Sequence, residues 1–332
     1  MNELIFFINK VIVSGTVLGC VYALGAVGIT LIFGILRFAH FAHGELMTMG
    51  AYFSFMFAIL FQAWGIQSVL PLGFMVLPFS IVLTLLICLI LDRWFYAPLR
   101  KQGAKPVSLL IASIGITMML QGLIRLFGGV KTQSFFSTES KEIFRFAIDG
   151  AKRKLVVSEP QVLLICLTLI ICISLHLFLT RSKTGKGMRA MSDNPELASL
   201  SGIDIHKIVR ITWMLAGGLC CIAGTMLALD VSLKPDLAFN IILAVFAAAI
   251  VGGLGHPYGA IAGGFLVGFA ETLSVFNWSI LLRPFSDTLL AGYDIPPQLA
   301  LVPTEYKLSV AFTIMVVVLL WRPQGIFKGA SS

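Results

Sequence analysis

The sequence predicts an all-α, polytopic membrane protein with about 8–10 transmembrane helices, some of them broken or re-entrant. Three observations carry this prediction. The chain is 58% hydrophobic and only 12% charged, with a mean hydropathy of +0.95, whereas a soluble domain carries roughly a quarter charged residues. Apolar runs of membrane-crossing length recur along it, and they are continuous rather than alternating, which suits helices and not barrel strands. Lysine and arginine also crowd into two short loops, the pattern of segments retained on the cytoplasmic side.

In order, the apolar runs fall at residues 11–36, 45–64, 69–91, 107–127, 161–179, 208–229, 239–254, 258–276 and 308–321, about nine by the length rule. The first is too long, and lacks the cleavage-site pattern, for a removable signal peptide. The run at 239–254 is short, and Gly255-His-Pro-Tyr-Gly259 interrupts the pair it forms with 258–276. One or both of that pair are re-entrant candidates. No non-membrane stretch reaches the ~50 residues at which an independent core forms, so residues 1–332 read as one membrane domain.

The net charge of +8 does not point to nucleic acid, because placement decides its meaning. Arg93, Arg100, Lys101 and Lys105 share one short loop, and Arg181, Lys183, Lys186, Arg189, Lys207 and Arg210 share another. With the runs counted above, both loops lie on the cytoplasmic face together with Arg322 and Lys328, and the amino terminus lies outside. The loop at 128–160, where Lys152-Arg153-Lys154 stands beside Glu139, Glu142, Asp149 and Glu159, is then external, since long loops obey the rule less strictly. The proline-bearing segment at 283–307 is external as well, a surface for substrate delivery. All six cysteines fall in apolar runs without metal-type spacing and read as small packed thiols.

No catalytic, cofactor or metal site emerges. Gly185-Lys186 is followed by Gly187, and Thr180 stands where a phosphate-binding loop needs its first glycine, so this chain does not cradle a nucleotide in that way. His40, His43 and Glu45 are ligand-type residues, but a water-wetted turn at the cytoplasmic edge accounts for them without metal.

Four features carry functional candidates. His43-Gly44-Glu45 opens the second run, with Gly44 at the cap and Glu45 in the first turn, where the helix dipole favours a negative charge; it reads as a capped helix start or as a gating element. Gly255, Gly259 and Gly263 are spaced by four, so on one helix they would share a face open to close packing. Pro257 breaks the helix among them, and broken helices mark translocation routes as readily as tight packing. Among polar groups inside apolar runs, Gln121, Arg125, His176 and Glu271, the arginine sits near a helix end and can snorkel. Glu271 lies deep enough to require a polar neighbour or an aqueous path. Finally, a polar linker of about 28 residues runs from Thr180 to Lys207. Within it, Asp193 or Asn194 before Pro195-Glu196 marks a short capped helix. Its face of Ala198, Leu197 and Leu200 either inserts into a groove on a partner or lies on the membrane surface.

Together the segments resemble the permease subunits of branched-chain amino-acid ABC importers. The matching pieces are Gly19-Cys-Val-Tyr22-Ala-Leu-Gly-Ala-Val-Gly28, Phe41-Ala-His43-Gly44-Glu45, Gly50-Ala-Tyr52, Ala97-Pro-Leu-Arg100 and Ile111-Ala-Ser-Ile-Gly115. Thr184-Gly-Lys-Gly-Met-Arg189-Ala190, Gly202-Ile203, Gly252-Gly253, Gly255, Gly259-Ala260 and Arg322-Pro323-Gln324-Gly325-Ile-Phe327 follow in order. The resemblance implies a multi-pass protein of the bacterial inner (plasma) membrane that pairs with a second homologous permease. It further implies two cytoplasmic ABC ATPase subunits that bind the ATP, and an extracytoplasmic solute-binding protein. Gly185, Arg189, Ala190, Glu196, Ala198 and Gly202 would form the ATPase-coupling loop, while His43, Gly44, Glu45, Gly255, Pro257, Gly259, Gly263 and Glu271 are translocation or gating candidates. Arg37 and His40 stand where the family pattern suggests small or amide residues, and 283–305 is longer and richer in proline. Urea and short-amide permeases look similar, which leaves the solute open. The rival class is an ion-coupled secondary transporter of a small polar solute, with Glu271 or Glu45 carrying protons; a membrane-embedded enzyme lacks the clustered carboxylates it would need.

Overall fold

The computed structural model describes residues 2–66, 68, 70–136, 141–147, 152–283 and 296–327. Lys328, Glu139, Asp149 and the portion of the proline-bearing segment at 284–295 lie outside the described residues. Eight helices among those residues are long and apolar enough to cross a membrane. They are α1 (Asn2–Leu36), α2 (His43–Ala63), α3 (Leu77–Lys101), α4 (Pro106–Gly128), α5 (Glu159–Arg181), α8 (Ile205–Asp230), α10 (Pro257–Val275) and α11 (Thr304–Trp321). Shorter helices interleave, among them α6 (Lys183–Asp193), α7 (Pro195–Leu200) and α9 (Ile242–Gly252). Between α4 and α5 the external loop forms a small antiparallel hairpin, β1 (Ile143–Phe146) and β2 (Leu155–Ser158).

Helix α1 is the centre of the bundle, because its glycines let neighbours approach its backbone. A Cβ built on Gly264 or Gly268 of α10 would fall 2.5 Å from Ala23 N or 2.7 Å from Gly19 N. Such close crossings replace the hydrophobic driving force that lipid does not supply. The helix stops at Arg37, whose backbone is left-handed at φ 57 and whose N–H still reaches the Phe33 carbonyl at 2.9 Å.

Where the apolar runs at 239–254 and 258–276 raised two re-entrant candidates, the structure separates them. The second is a full span, α10, of 19 residues. The first is α9, of 11 residues, about 16 Å long and so roughly half a membrane. It is preceded by a stretch of turns over residues 231–241 rather than by helix. The turns and α9 together stand in the place of that run, beside the eight long helices. Arg93, Arg100, Lys101, His206 and Arg210 line one cavity at a single end of the bundle. The tail at 322–327 joins that end, with Ile326 N–H donating to the Val251 carbonyl at 2.9 Å. At the opposite end Asn9 holds the hairpin, its amide donating to the Lys154 carbonyl and its oxygen accepting from Val156 N–H.

Four expectations need correction. His40, His43 and Glu45 are buried rather than wetted, at 0%, 0% and 1% exposure. Gly44 is not the cap of α2; Ala42 is, and the helix opens at His43. Gly255 belongs to no helix: it sits in the α9–α10 turn at φ 85, so only Gly259 and Gly263 share a face. Cys166 is exposed, while Cys20, Cys88, Cys220 and Cys221 are buried.

Candidate functional site

The candidate residues fall into three places. The first lies inside the membrane, where two helices start. A Cβ on Gly28 would meet the His43 imidazole at 2.5 Å, and Gly28 is about 12 Å inside the end of α1 by helical rise. Helix α2 therefore begins near mid-depth, not at the surface. Helix α9 begins there too, since a Cβ on Gly44 would touch Ile242 Cβ at 3.1 Å and the Ala238 carbonyl at 3.3 Å. Thr48 ties the two together: its hydroxyl donates to the Gly44 carbonyl at 3.3 Å and accepts from Ala238 N–H at 3.1 Å. His43 is held by Cys220, with Sγ 3.3 Å from the ring nitrogens. His40 is occupied otherwise, Nδ1 lying 3.0 Å from the Tyr96 hydroxyl, beside the stacked Tyr96 and Trp213 rings. Both rings are buried, His40 among aromatics and His43 between Gly28 and Cys220.

The second place is the α9–α10 turn. Gly252 and Gly259 bring their backbones into contact, for a Cβ on Gly259 would lie 2.2 Å from the Gly252 carbonyl oxygen. One turn along, a Cβ on Gly263 would lie 2.1 Å from the Ala248 carbonyl. Pro257 opens α10 at its first position, where its missing N–H leaves nothing unsatisfied. Gly255 packs over Gly34 of α1, and Arg37 at the end of α1 donates to the Ser192 carbonyl of α6. The turn thus touches both the central helix and the polar linker. The tail motif Arg322-Pro-Gln-Gly-Ile-Phe327 closes it from below: Phe327 N–H donates to the Gly252 carbonyl at 3.2 Å, and Gly325 adopts φ 82 against Gly253.

The third place is the linker at 180–204, which is helical rather than a loop. The Ser182 hydroxyl caps α6 by accepting from Gly185 N–H at 2.8 Å, and Gly185 has no room for a side chain, its Cβ position being 2.2 Å from the Phe178 carbonyl. Asn194 caps α7, its oxygen accepting from Glu196 and Leu197 N–H. Asp204 caps α8, and the Lys207 amide lowers its carboxyl below the usual range. Met188, Met191 and Ala198 face inward, while Arg189 and Glu196 are exposed. Ala190 is half-buried and Gly202 makes the exposed turn after α7 at φ 81. The expected outward face of α7 divides: Ala198 packs down, and Leu197 and Leu200 stand out at 60% and 85% exposure.

Glu271 belongs to none of the three. It accepts from the Tyr22 hydroxyl at 2.9 Å and pairs with Lys307 Nζ at 3.3 Å. Its polar neighbours were required by depth, but Tyr22 and Lys307 come from α1 and α11, 249 and 36 positions away, which no local pattern reveals. His176 likewise meets the Tyr258 hydroxyl at 3.0 Å. Sequence reasoning also passed over Asp236 and Asn240, whose only signal is that they are polar residues leading into an apolar run.

Comparison with known proteins follows the geometry. A family model described as branched-chain amino acid transport system / permease component matches residues 11–319. The chain is 29% identical over 327 residues to the high-affinity branched-chain amino acid transport system permease protein BraD of Pseudomonas aeruginosa, covering 98% of this chain and 97% of that protein. It is 28% identical over 338 residues to the corresponding permease protein LivH of Escherichia coli K12, again covering 98% and 97%.

Proposed function

The chain belongs to the permease family of branched-chain amino acid transport systems, and from that membership we propose the assembly and route in which it works. It is a multi-pass membrane transport subunit of an ABC importer, not an enzyme. In the proposed assembly its single permease domain, residues 1–332, pairs with a second homologous permease in the bacterial inner membrane. Two cytoplasmic ATPases bind the ATP, this chain holding no cofactor, and an extracytoplasmic binding protein delivers a branched-chain amino acid.

The observation that supports the ATPase contact is the α6–α7 projection. Two exposed leucines, Leu197 and Leu200, stand on a helix rigidly capped by Asn194 and seated through Ala198. Lys183, Lys186 and Arg189 are exposed on the preceding helix α6. Apolar anchors within a polar rim are the usual form of a protein contact. Arg37 links that projection to the end of α1, and the α9–α10 turn rests on the same helix, so a push on α6 reaches the mid-depth helix starts through short, packed steps.

Glu271, the first candidate of the ion-coupled reading, is engaged through one carboxylate oxygen by Tyr22 and Lys307, which favours a packing role for it. Affinity purification of the chain from its native membrane, with mass spectrometry of its companions, tests the assembly. Two P-loop ATPases and a sister permease are expected to come with it. A chain that comes down alone and transports alone in liposomes contradicts the proposal.

A further inference from the structure

Glu45 is the least explained charged group among the described residues. It is 1% exposed, and neither carboxylate oxygen has a hydrogen-bond partner. A glutamate in the first turn of a helix ordinarily reaches back to the cap N–H, and this one does not. Burying a carboxylate without a hydrogen-bond donor is expensive, and since Arg125 acts on it without bonding it, the position favours a further positively charged donor.

Its surroundings point to which cation. Helices α2 and α9 both begin beside it; His43 N–H donates to the His40 carbonyl at 3.3 Å and Ile242 N–H to the Ala238 carbonyl at 2.9 Å, and the amides that follow in each first turn have no partner within their own helices. Residues 231–241, which approach Glu45 from the other side, are non-helical at membrane depth. Backbone of that kind persists only where protein buries it or water lines it. Asn240 in that stretch is exposed and Asp236 half-exposed, so polar side chains reach its outer surface. The charged groups facing Glu45 are Asp236 from this stretch and Arg125 from α4. Seven residues along the same face of α2, the Tyr52 hydroxyl is also buried without a partner, its ring packed over Gly128 of α4. One small region thus offers an unpartnered carboxylate for a positive group and two helix starts for a negative group, with a hydroxyl two turns further along α2.

We propose that Glu45 binds the α-ammonium group of the transported amino acid at mid-membrane, while the converging starts of α2 and α9 receive its α-carboxylate. This rests on the amino-acid permease reading above. It goes beyond that reading by giving the permease its own recognition of the zwitterion, in addition to that of the binding protein.

The test uses the intact importer, with its ATPases, sister permease and binding protein, in proteoliposomes with labelled leucine outside. E45Q is expected to lower leucine uptake at least about tenfold, the loss that follows from removing one charge-assisted hydrogen bond. E45D, which keeps the charge, is expected to recover part of it, with subunit assembly unchanged in both. Uptake by E45Q within twofold of wild type, about 0.4 kcal/mol at most, overturns the assignment. Wild-type importer that does not move leucine overturns the amino-acid reading itself, and this inference falls with it. Should E45Q fail to assemble, the wild-type importer answers the question through a hydrophobic carbodiimide that labels buried carboxyl groups. Leucine is expected to slow labelling of Glu45 as followed by mass spectrometry, and labelling indifferent to leucine overturns the proposal.

Discussion

Truncating Leu200 and Leu197 to alanine probes the ATPase contact at its apolar anchors. Leu→Ala removes three carbons, about 2.4 kcal/mol of transfer free energy at roughly 0.8 kcal/mol per carbon. Only the part now facing solvent is available to a partner, 85% for Leu200 and 60% for Leu197. Scaling gives about 2 and about 1.4 kcal/mol, upper limits that correspond to roughly 30-fold and 10-fold in affinity, and to roughly 300-fold for the double variant if the two add. The assay is binding of the purified ATPase subunits to the permease pair in nanodiscs, by interferometry. Neither leucine is part of the packed core, so the melting temperature of the permease should stay put. Binding by the double variant within twofold of wild type would refute the reasoning, since no accounting of buried area leaves such anchors silent.

Four other outcomes follow from close packing and charge. Gly263→Ala forces a Cβ to within 2.1 Å of the Ala248 carbonyl and is expected to destabilise the permease by about 1–3 kcal/mol or more, read as a lower melting temperature in detergent. Gly115→Ala, with open space around it, is expected to be neutral in the same assay. Lys307→Met should destabilise more than Glu271→Gln, because it strands a fully buried carboxylate whereas the lysine, 38% exposed, can turn to water. For the same reason its effect should fall below the about 3–5 kcal/mol of a wholly buried pair, and equal melting temperatures for the two variants would count against this asymmetry. Gly325→Ala should loosen the tail from the α9–α10 turn, since φ 82 and a Cβ 2.6 Å from Gly253 Cα both oppose a side chain; faster proteolysis of the carboxyl-terminal tail would show it.

Much of the fold was legible because lipid imposes a strict rule: long apolar runs become helices, and basic loops stay on one side. The capped start of α7 was equally plain, since Asn194-Pro195-Glu196 combines three local signals within one turn. What local patterns missed depends on partners far along the chain. The half-length of α9 is set by how residues 231–241 pack against α2, and an apolar run alone does not distinguish that from a full crossing. His43 and Glu45 looked like an edge turn because they follow the end of α1. Their burial arises from the chain doubling back after Arg37 to start α2 beside Gly28. The glycine ladder was half right for a similar reason: spacing placed Gly259 and Gly263 together, while Gly255 took the positive φ of the turn. Met188 and Met191, at helical spacing within the polar linker, were the available sign that α6 is a helix.

ATP-driven uptake measured in proteoliposomes tests the central claim most directly. The chain is reconstituted with its sister permease, ATPases and binding protein, and labelled leucine is followed with ATP inside or outside. Uptake that requires ATP on the ATPase side, requires the binding protein and ignores an uncoupler is the expected result. Uptake by the chain alone, abolished by an uncoupler and indifferent to ATP, would contradict it.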